Sequence, residues 1–422
     1  MFDRSLLNPM LSGQKLYDAL RVIPEFDESV RNMDKSSRLI ALSDLYNIYL
    51  PCKMSEEIYT KLYLALVRSL NKKTTSNAVR QSNENFKAIR LLNSRGIIGG
   101  SDSFSIIGCS GIGKSSAVSR AVDLITDKRY IEYNNIKICP VIIVQCPFDS
   151  SVKGLVLEVL RTIDSVLCTK YYANAIRSRA TTDVLIGIVS QVALHHIGLL
   201  IIDEIQHCVN SRNGKTLINS LTQIINNTGV SICLIGTPEC KAFFSQGLQL
   251  ARRSMGLSYN PLPFDDFFEE MCRVVFDYQY TLNRTELTGS MIEWLYEHSG
   301  GLVSLLISLI HDAQEIAILS ETEKLDLKSL NEAYRKRSAM VHVFLQNGIR
   351  SLPSTGRNSR INKQTMIGKE FVLEEETTQE GCSGLSPEYS ISKIVIQAKK
   401  NEYDVVESLK QYIKVEVISK EG

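Results

Sequence analysis

The sequence predicts an α/β fold in which a mainly parallel sheet lies between layers of helices. Short apolar runs of strand length recur at Phe104–Ile107, Val141–Val144, Leu199–Glu204 and Ser231–Thr237. Segments with apolar residues at three- and four-residue spacing, a pattern typical of helices, separate these runs. A glycine-rich turn at 108–113 joins the first run to a helical segment. Apolar strands that alternate with helices are typical of a sheet covered on both faces.

The composition is that of an ordinary globular protein, and 422 residues are enough for two or three domains. The net charge of +2 gives no global basic signal for nucleic acid. Ten cysteines are scattered without a Cys-x-x-Cys pair, which favours reduced, buried thiols over disulfides or zinc. We expect a cytoplasmic protein without a membrane partner, because no signal peptide is recognisable and no apolar run reaches about 20 residues.

The first 71 residues are predicted to be helical. Two stretches, 39–46 and 58–67, place apolar residues at helical spacing, and Pro51 separates them. A polar connector follows, and then a predicted helix over 84–93. We expect the segment just upstream of the glycine-rich turn to help shape a pocket for a nucleotide base.

The glycine-rich turn Gly108–Ser115 fits the phosphate-binding pattern G-x-x-x-x-G-K-[ST] at every fixed position. A strand precedes it and a helix follows, so backbone N–H groups and the helix N-terminus can surround phosphate oxygens. Lys114 is expected to reach the β- and γ-phosphates of ATP, and Ser115 to hold Mg²⁺. The alternative is an ordinary glycine-rich turn. The predicted nucleotide contacts are Gly108, Cys109, Ser110, Gly111, Ile112, Gly113, Lys114, Ser115 and Ser116.

Two acidic residues end the third apolar run and suggest a Walker B element. Asp203 is expected to support Mg²⁺, and Glu204 to orient and deprotonate the attacking water, as phosphoryl transfer requires. The alternative is a solvated acidic pair at the end of a strand.

A hydroxyl and two arginines complete the candidate catalytic set. Thr237 ends the fourth run, where it could contact the γ-phosphate, although Thr-Pro is also a common turn. Arg252 and Arg253 could close a helix that faces a neighbouring subunit and stabilise phosphate charge there. A solvated helix end explains the two arginines equally well.

These residues together resemble the TnsC/TniB group of AAA+ ATPases that regulate transposition. The resemblance covers about residues 30 to 345, and the Ile-Asp-Glu-Ile-Gln and Ala-Arg-Arg phrases are its more specific parts. The phrases that carry it are Ser110–Ser115, Gln145–Leu155, Ile197–Gln206, Leu234–Pro238, Ala251–Arg253, Tyr278–Thr281 and Leu295–Gly301.

The resemblance implies an AAA+ P-loop core, with a parallel five-stranded sheet between helices, a helical lid and an N-terminal helical segment. It implies a homo-oligomeric ATPase that forms rings or helical filaments on duplex DNA and links a target-selection protein to transposase subunits. It also supports Thr237 as sensor 1 and Arg252 or Arg253 as the arginine finger. The lid departs from many AAA+ proteins because Gly300–Leu306 contains no arginine, which favours slow turnover.

We expect four segments along the chain. They are an N-terminal helical segment (1–71), the P-loop core (72–262), a helical lid (263–345) and a flexible tail (346–422) with a patterned end at 403–418. Such tails recruit the transposase in the family that the chain resembles, and a passive tail is the alternative.

DNA contacts have no strong signal, since no basic patch with interleaved aromatic residues stands out. Lys137, Lys153 and Lys170 are candidates only because they lie around the second strand. Three other functions remain open. They are a replication-type AAA+ helicase loader, a P-loop small-molecule kinase, and a nucleotide-gated scaffold that does not hydrolyse ATP.

Overall fold

The structure is a computed structural model that describes residues 6–74, 103–133, 136–209, 211–241 and 256–338. The chain divides into two compact units, Met1–Pro353 and Ser354–Gly422, and every described residue lies in the first. The predicted helix over 84–93 and the predicted tail therefore fall outside the described residues. The four predicted segment boundaries stay predictions.

The described N-terminal residues form three helices, α1 (Gln14–Leu20), α2 (Lys35–Ala41) and α3 (Lys53–Thr74). The α/β region contains α4 (Lys114–Ile125), α5 (Val152–Leu167), α6 (Tyr171–Arg177), α7 (Thr182–His196) and α8 (Gly214–Thr228). The lid contains α9 (Asp266–Asp277), α10 (Gly289–Ser299), α11 (Val303–Leu319) and α12 (Leu327–Ala333).

The sheet has six strands. They are β1 (Phe104–Gly108), β2 (Ile131–Tyr133), β3 (Ile136–Gln145), β4 (Ile197–Asp203), β5 (Ser231–Gly236) and β6 (Leu257–Tyr259). Their spatial order is β2-β3-β4-β5-β1-β6, and all neighbours are parallel except β2 with β3. Five parallel strands confirm the predicted α/β core, and the short antiparallel β2 adds a sixth strand that the sequence did not predict.

The two faces of the sheet pack into separate hydrophobic clusters. Along β4, Leu199 and Ile201 point into one cluster, and Leu200 and Ile202 into the other. This alternation follows from the two-residue period of a strand. The first cluster also holds residues of α3, α4 and the lid, whereas the second holds residues of α5, α7 and α8. The N-terminal helices, the glycine-loop helix and the lid thus share one core.

Polar contacts also join the N-terminal helices to the lid. The Arg38 guanidinium forms two hydrogen bonds to Glu323, of 2.7 and 2.8 Å, and both side chains are buried. Arg31 donates to the carbonyls of Thr281 and Leu282, and the Tyr280 hydroxyl donates to Asp44. These contacts therefore hold the N-terminal segment around α2 to the lid residues that precede α10 and follow α11.

The lid contains an aromatic stack beside α12. The rings of Trp294 and His298 are 3.8 Å apart at 15°, and Tyr334 meets His298 edge-on at 4.5 Å. The Trp294 indole donates to Asn331.

The cysteines are placed as expected from their apolar surroundings, because six of the nine described thiols are buried.

Among the described helices, no single one has both the length and the apolar character needed to cross a membrane. Only α10 and α11 taken together pass that test, and they are bent by 120°.

Candidate nucleotide-binding site

The glycine loop connects β1 to α4. Gly111 and Gly113 have φ angles of +83° and +94°, in the left-handed region that favours glycine. Gly113 directly precedes α4 and offers no side chain to cap it. The first N–H groups of the helix are consequently available to an anion at the loop.

Lys114 is the first residue of α4, and its side chain is buried against the loop. Its Nζ donates hydrogen bonds to the carbonyls of Gly108 (2.7 Å) and Cys109 (2.8 Å). Burial lowers the pKa of Lys114, and the nearby Asp203 carboxylate opposes that shift. An ammonium group held here would gain from a phosphate anion, since a charge of opposite sign offsets the cost of burial.

Asp203 at the end of β4 meets the glycine-loop helix. Ser115 Oγ donates to Asp203 Oδ2 at 2.7 Å, and the Glu204 N–H donates to Asp203 Oδ1 at 2.8 Å. A hydroxyl and a carboxylate are hard oxygen donors of the kind that Mg²⁺ prefers. The two residues predicted to hold the metal lie together, and their donor set fits it.

Glu204 and Thr237 lie at the ends of neighbouring strands. Glu204 has a φ of +58°, and its carboxylate accepts a hydrogen bond from Gln206 Nε2. Thr237 Oγ1 is buried and has no hydrogen-bond partner among the described residues. A buried hydroxyl without a partner is costly, so a ligand that accepts its hydrogen fits this position.

A cavity of about 770 Å³ collects these groups. One wall holds ten of the predicted residues: Ser110, Gly111, Ile112, Gly113, Lys114, Ser115, Ser116, Asp203, Glu204 and Thr237. The other walls come from the N-terminal residues 46–55 and from lid residues such as Phe267, Met271, Val303 and Ile307. A polar side for phosphates and a more apolar side for a base suit a nucleotide.

The lid touches the glycine loop directly. The Ser304 N–H, at the start of α11, donates to the carbonyl of Gly111 at 3.1 Å. A Cβ atom on Gly111 would lie 2.2 Å from Ser304 Oγ. Ser304 and Ser308 line the cavity on the lid side, and the Gly300–Leu306 segment that holds Ser304 contains no arginine.

Some predicted residues are placed differently or lie outside the described part of the chain. Gly108 and Cys109 do not line the cavity, but their carbonyls hold Lys114. Arg252 and Arg253 lie outside the described residues.

The structure places Lys137 and Lys153, two of the candidate DNA-contacting lysines, near opposite ends of β3. Lys137 lies near the amino end of β3, and Lys153 is the second residue of α5, beyond the carboxyl end. A strand rises about 3.3 Å per residue, so roughly 30 Å of strand separates the two ends of β3. Lys170 precedes Tyr171, whose hydroxyl meets His196, and His196 in turn is hydrogen-bonded to the Lys137 carbonyl.

Sequence reasoning missed the cavity walls that are distant in the chain. Residues 46–55 carry no motif, and we expected the base pocket nearer the glycine loop. Gln206 was also not predicted as a site residue. Its position two residues after Glu204, in the phrase Asp-Glu-Ile-Gln, is the signal that could have identified it.

Comparison with known proteins gives one family match and several weak structural likenesses. Residues 98–259 match the family model described as bacterial TniB protein. No curated protein matches the chain in sequence.

Three solved structures illustrate the structural likeness. The ORC1 protein of Aeropyrum pernix, in complex with DNA, is 14% identical over 69% of this chain and 72% of its own, with a TM-score of 0.39. The ORC2 protein of Aeropyrum pernix, in ADPNP–ADP complexes, is 16% identical over 64% and 70%, with a TM-score of 0.41. Domain III of the replication initiation protein DnaA of Thermotoga maritima is 13% identical over 62% and 92%, with a TM-score of 0.35.

All three TM-scores are low, so the assignment depends on the family match and on the arrangement of the site. The match covers less than half of the chain, but it contains the glycine loop, both carboxylates and Thr237. Residues 98–259 are therefore similar to the bacterial TniB protein family.

Proposed function

We propose that this protein is an ATP-dependent regulator of DNA transposition, which oligomerises on duplex DNA and links a target-selection protein to the transposase. The observation that carries the ATPase part is the 2.7 Å hydrogen bond between Ser115 and Asp203. It joins the glycine loop to the Walker B strand inside a cavity that also holds Glu204 and Thr237. The TniB match supports the role in transposition.

In this proposal the glycine loop and Lys114 bind the phosphates of ATP. The base lies against the apolar walls contributed by the N-terminal residues 46–55 and by the lid. Ser115 and Asp203 would hold Mg²⁺, which supplies positive charge to the β- and γ-phosphates. Lys114 exchanges two backbone carbonyls for phosphate oxygens, a stronger set of acceptors.

Hydrolysis needs a base, a phosphate sensor and a second cation. Glu204 takes a proton from the attacking water as the water oxygen bonds to the γ-phosphorus. The bond from that phosphorus to the bridging oxygen breaks, and ADP leaves. The Thr237 hydroxyl donates to a γ-phosphate oxygen. Arg252 or Arg253 of a neighbouring copy stabilises the charge that develops.

We propose slow turnover that DNA stimulates, and the lid supports the slow rate. An arginine in the Gly300–Leu306 segment would add a cation to the phosphates in cis, but this segment has none. Ser304 contacts the glycine loop instead, through a neutral N–H group. ATP would therefore act mainly as an assembly switch, and hydrolysis would dismantle the oligomer.

Electron microscopy with duplex DNA tests this proposal. With ATP or a non-hydrolysable analogue we expect rings or helical filaments on the DNA, and single copies without nucleotide. The Glu204→Gln variant should bind ATP and keep its assemblies in ATP, because the water is no longer deprotonated. Glu293→Gln, which changes an exposed lid carboxylate, is the matched control.

Two results would contradict the proposal. One is a protein that stays single-copy with every combination of nucleotide and DNA. The other is wild-type ATP turnover in Glu204→Gln. Co-purification with a helicase instead of transposase subunits would favour the helicase-loader alternative.

A further inference from the structure

Gln206 contacts the proposed catalytic carboxylate but has no role in the mechanism above. It lies in the short 3-10 turn Ile205–Cys208, directly after the Walker B residues. Its Nε2 donates a hydrogen bond to Glu204 Oε2, and its side chain lines the cavity. The other oxygen of the carboxylate, Oε1, does not take part in this bond and can accept a proton from water.

The opposite end of the same amide is buried at the end of β5. Gln206 Oε1 has no hydrogen-bond partner among the described residues. A Cβ atom on Gly236 would lie 3.3 Å from it, so the amide oxygen packs against the residue that precedes Thr237. An amide oxygen can only accept hydrogen bonds.

The Thr237 hydroxyl is the second buried polar group without a partner at this place, within the described part of the chain. Unlike the amide oxygen, it has a hydrogen to give. The Cys240 thiol lies within interaction distance of it, but a thiol is only a weak hydrogen-bonding group and does not replace an oxygen acceptor. Leaving two such groups unsatisfied is unfavourable, and a side-chain rotation that pairs them would remove this penalty.

We propose that Gln206 is a positioning residue for ATP hydrolysis, coupling the Thr237 hydroxyl to the Glu204 carboxylate. Its amide nitrogen holds the carboxylate toward the cavity, and its amide oxygen accepts the Thr237 hydroxyl until a γ-phosphate oxygen takes that hydrogen. The base and the phosphate sensor are then linked through one side chain. This inference rests on the proposed ATPase function and on Glu204 as the base.

Gln206→Met tests the positioning role, because methionine keeps the length and apolar bulk of glutamine but neither polar group. We expect kcat for ATP to fall about 10- to 100-fold, the range for losing one hydrogen bond to a charged group. The Kd of a fluorescent ATP analogue should stay within about twofold, because Gln206 has no contact with the glycine loop in the proposed complex. A residue that only fills space would leave kcat unchanged in this variant.

Gln206→Glu tests the same role by a second route, since it keeps the shape and an acceptor but removes the donor. We expect a fall in kcat at least as large. Gln191→Met on α7, a half-buried amide outside the cavity, is the control and should keep wild-type kcat. Thermal unfolding of each variant shows that it is folded.

A double-mutant cycle tests the coupling to Thr237. Thr237→Val removes the hydroxyl and keeps the side-chain shape. If the two groups act through each other, Gln206→Met should lower kcat at least fivefold less in the Thr237→Val background than in the wild type. Additive effects, within about twofold, would overturn the coupling.

Failure of this inference can be told apart from failure of the proposed function. If Glu204→Gln abolishes hydrolysis while Gln206→Met keeps wild-type kcat, the positioning role is wrong and the ATPase assignment stands. If Glu204→Gln turns over ATP like the wild type, the assignment of the base is wrong, and the role of Gln206 falls with it.

Discussion

Glu204 adopts a left-handed backbone conformation, at φ +58°, that few residues with a side chain adopt. Such a conformation costs on the order of 1–3 kcal/mol and persists only where the surroundings enforce it. The hydrogen bonds that Glu204 makes to Asp203 and Gln206 are part of those surroundings. The strained residue is also the one predicted to activate water, which supports the hypothesis that its orientation serves the reaction.

Lys114→Ala should abolish ATP binding. The variant removes the buried ammonium group that the loop carbonyls hold at the mouth of the phosphate site. We expect the Kd of a fluorescent ATP analogue to rise at least about 100-fold, as for the loss of two or more charge-assisted hydrogen bonds. Lys128→Ala, which removes an exposed lysine, should bind normally. Unchanged nucleotide affinity in Lys114→Ala would refute the assignment.

Lys73 gives a prediction about pH. Its Nζ donates to the carbonyls of Ala193 and Leu194 at the end of α7, and burial lowers its pKa to about 7. Between pH 7 and 10 the unfolded chain holds a proton here that the folded chain has released. The free energy of unfolding from this group therefore rises with pH, by at most about 1.4 kcal/mol per unit.

Lys73→Met should remove that pH dependence. Urea unfolding at pH 7, 8 and 9 would show a difference in stability between wild type and variant that grows with pH. Lys128→Met, at an exposed lysine, should run parallel to the wild type. A constant difference between wild type and Lys73→Met would mean that Lys73 has the same pKa in both states.

At the scale of elements, long apolar strands and helices followed from the pattern, whereas short elements did not. The strands β1, β4 and β5 begin or end within two residues of their predictions, because burial on both faces makes them continuously apolar. The three-residue strands β2 and β6 have no pattern long enough to recognise and depend on a partner strand. The 15-residue helix α8 is an exception, because no bounds were predicted for it although its apolar residues recur at helical spacing.

The ion pair between α2 and the residues after α11 should be important for stability. Arg38→Met leaves the buried Glu323 carboxylate without its cation, which costs about 3–5 kcal/mol when one partner of a buried pair is removed. Lys35→Met, which breaks the nearby exposed pair with Glu321, should cost less than about 1 kcal/mol. Urea unfolding measures both, and equal costs would contradict a special role for the buried pair.

The same pair contributes to the loss of stability at acid pH. The Arg38 guanidinium lowers the pKa of Glu323 below its usual value of 4.5. The stabilisation is therefore present above pH 4.5 and is lost as the pH falls through the lower, folded-state pKa.

At the scale of the whole molecule, the sequence predicted the side of the cavity that we propose binds phosphates, but not the side proposed for the base. Gly108–Ser115 and Asp203–Glu204 are local patterns, so no knowledge of the fold is needed to find them. The remaining walls come from residues 46–55 and from the lid, which are separated from the loop by tens to hundreds of residues. The shared hydrophobic core of the N-terminal helices and the lid, with polar contacts such as Arg38 to Glu323, brings them together.

The contact between lid and loop predicts a partial rescue. Gly111→Ala should weaken ATP binding about tenfold, because alanine is strained at φ +83° and its Cβ meets Ser304 Oγ. Adding Ser304→Ala removes the steric part and should recover some affinity, while the backbone strain remains. The Kd of a fluorescent ATP analogue distinguishes the variants. A double variant no better than Gly111→Ala would mean that the lid does not press on the loop.

The aromatic stack in the lid provides a natural optical reporter. Trp294 is the sole tryptophan of the chain. Its ring stacks on the imidazole of His298, and Tyr334 contacts that imidazole edge-on. The emission of Trp294 therefore arises from one place in the protein. A rearrangement that separates the rings of Trp294 and His298 should change the fluorescence intensity of Trp294. Movements of the lid can then be followed by stopped-flow fluorescence without an attached dye.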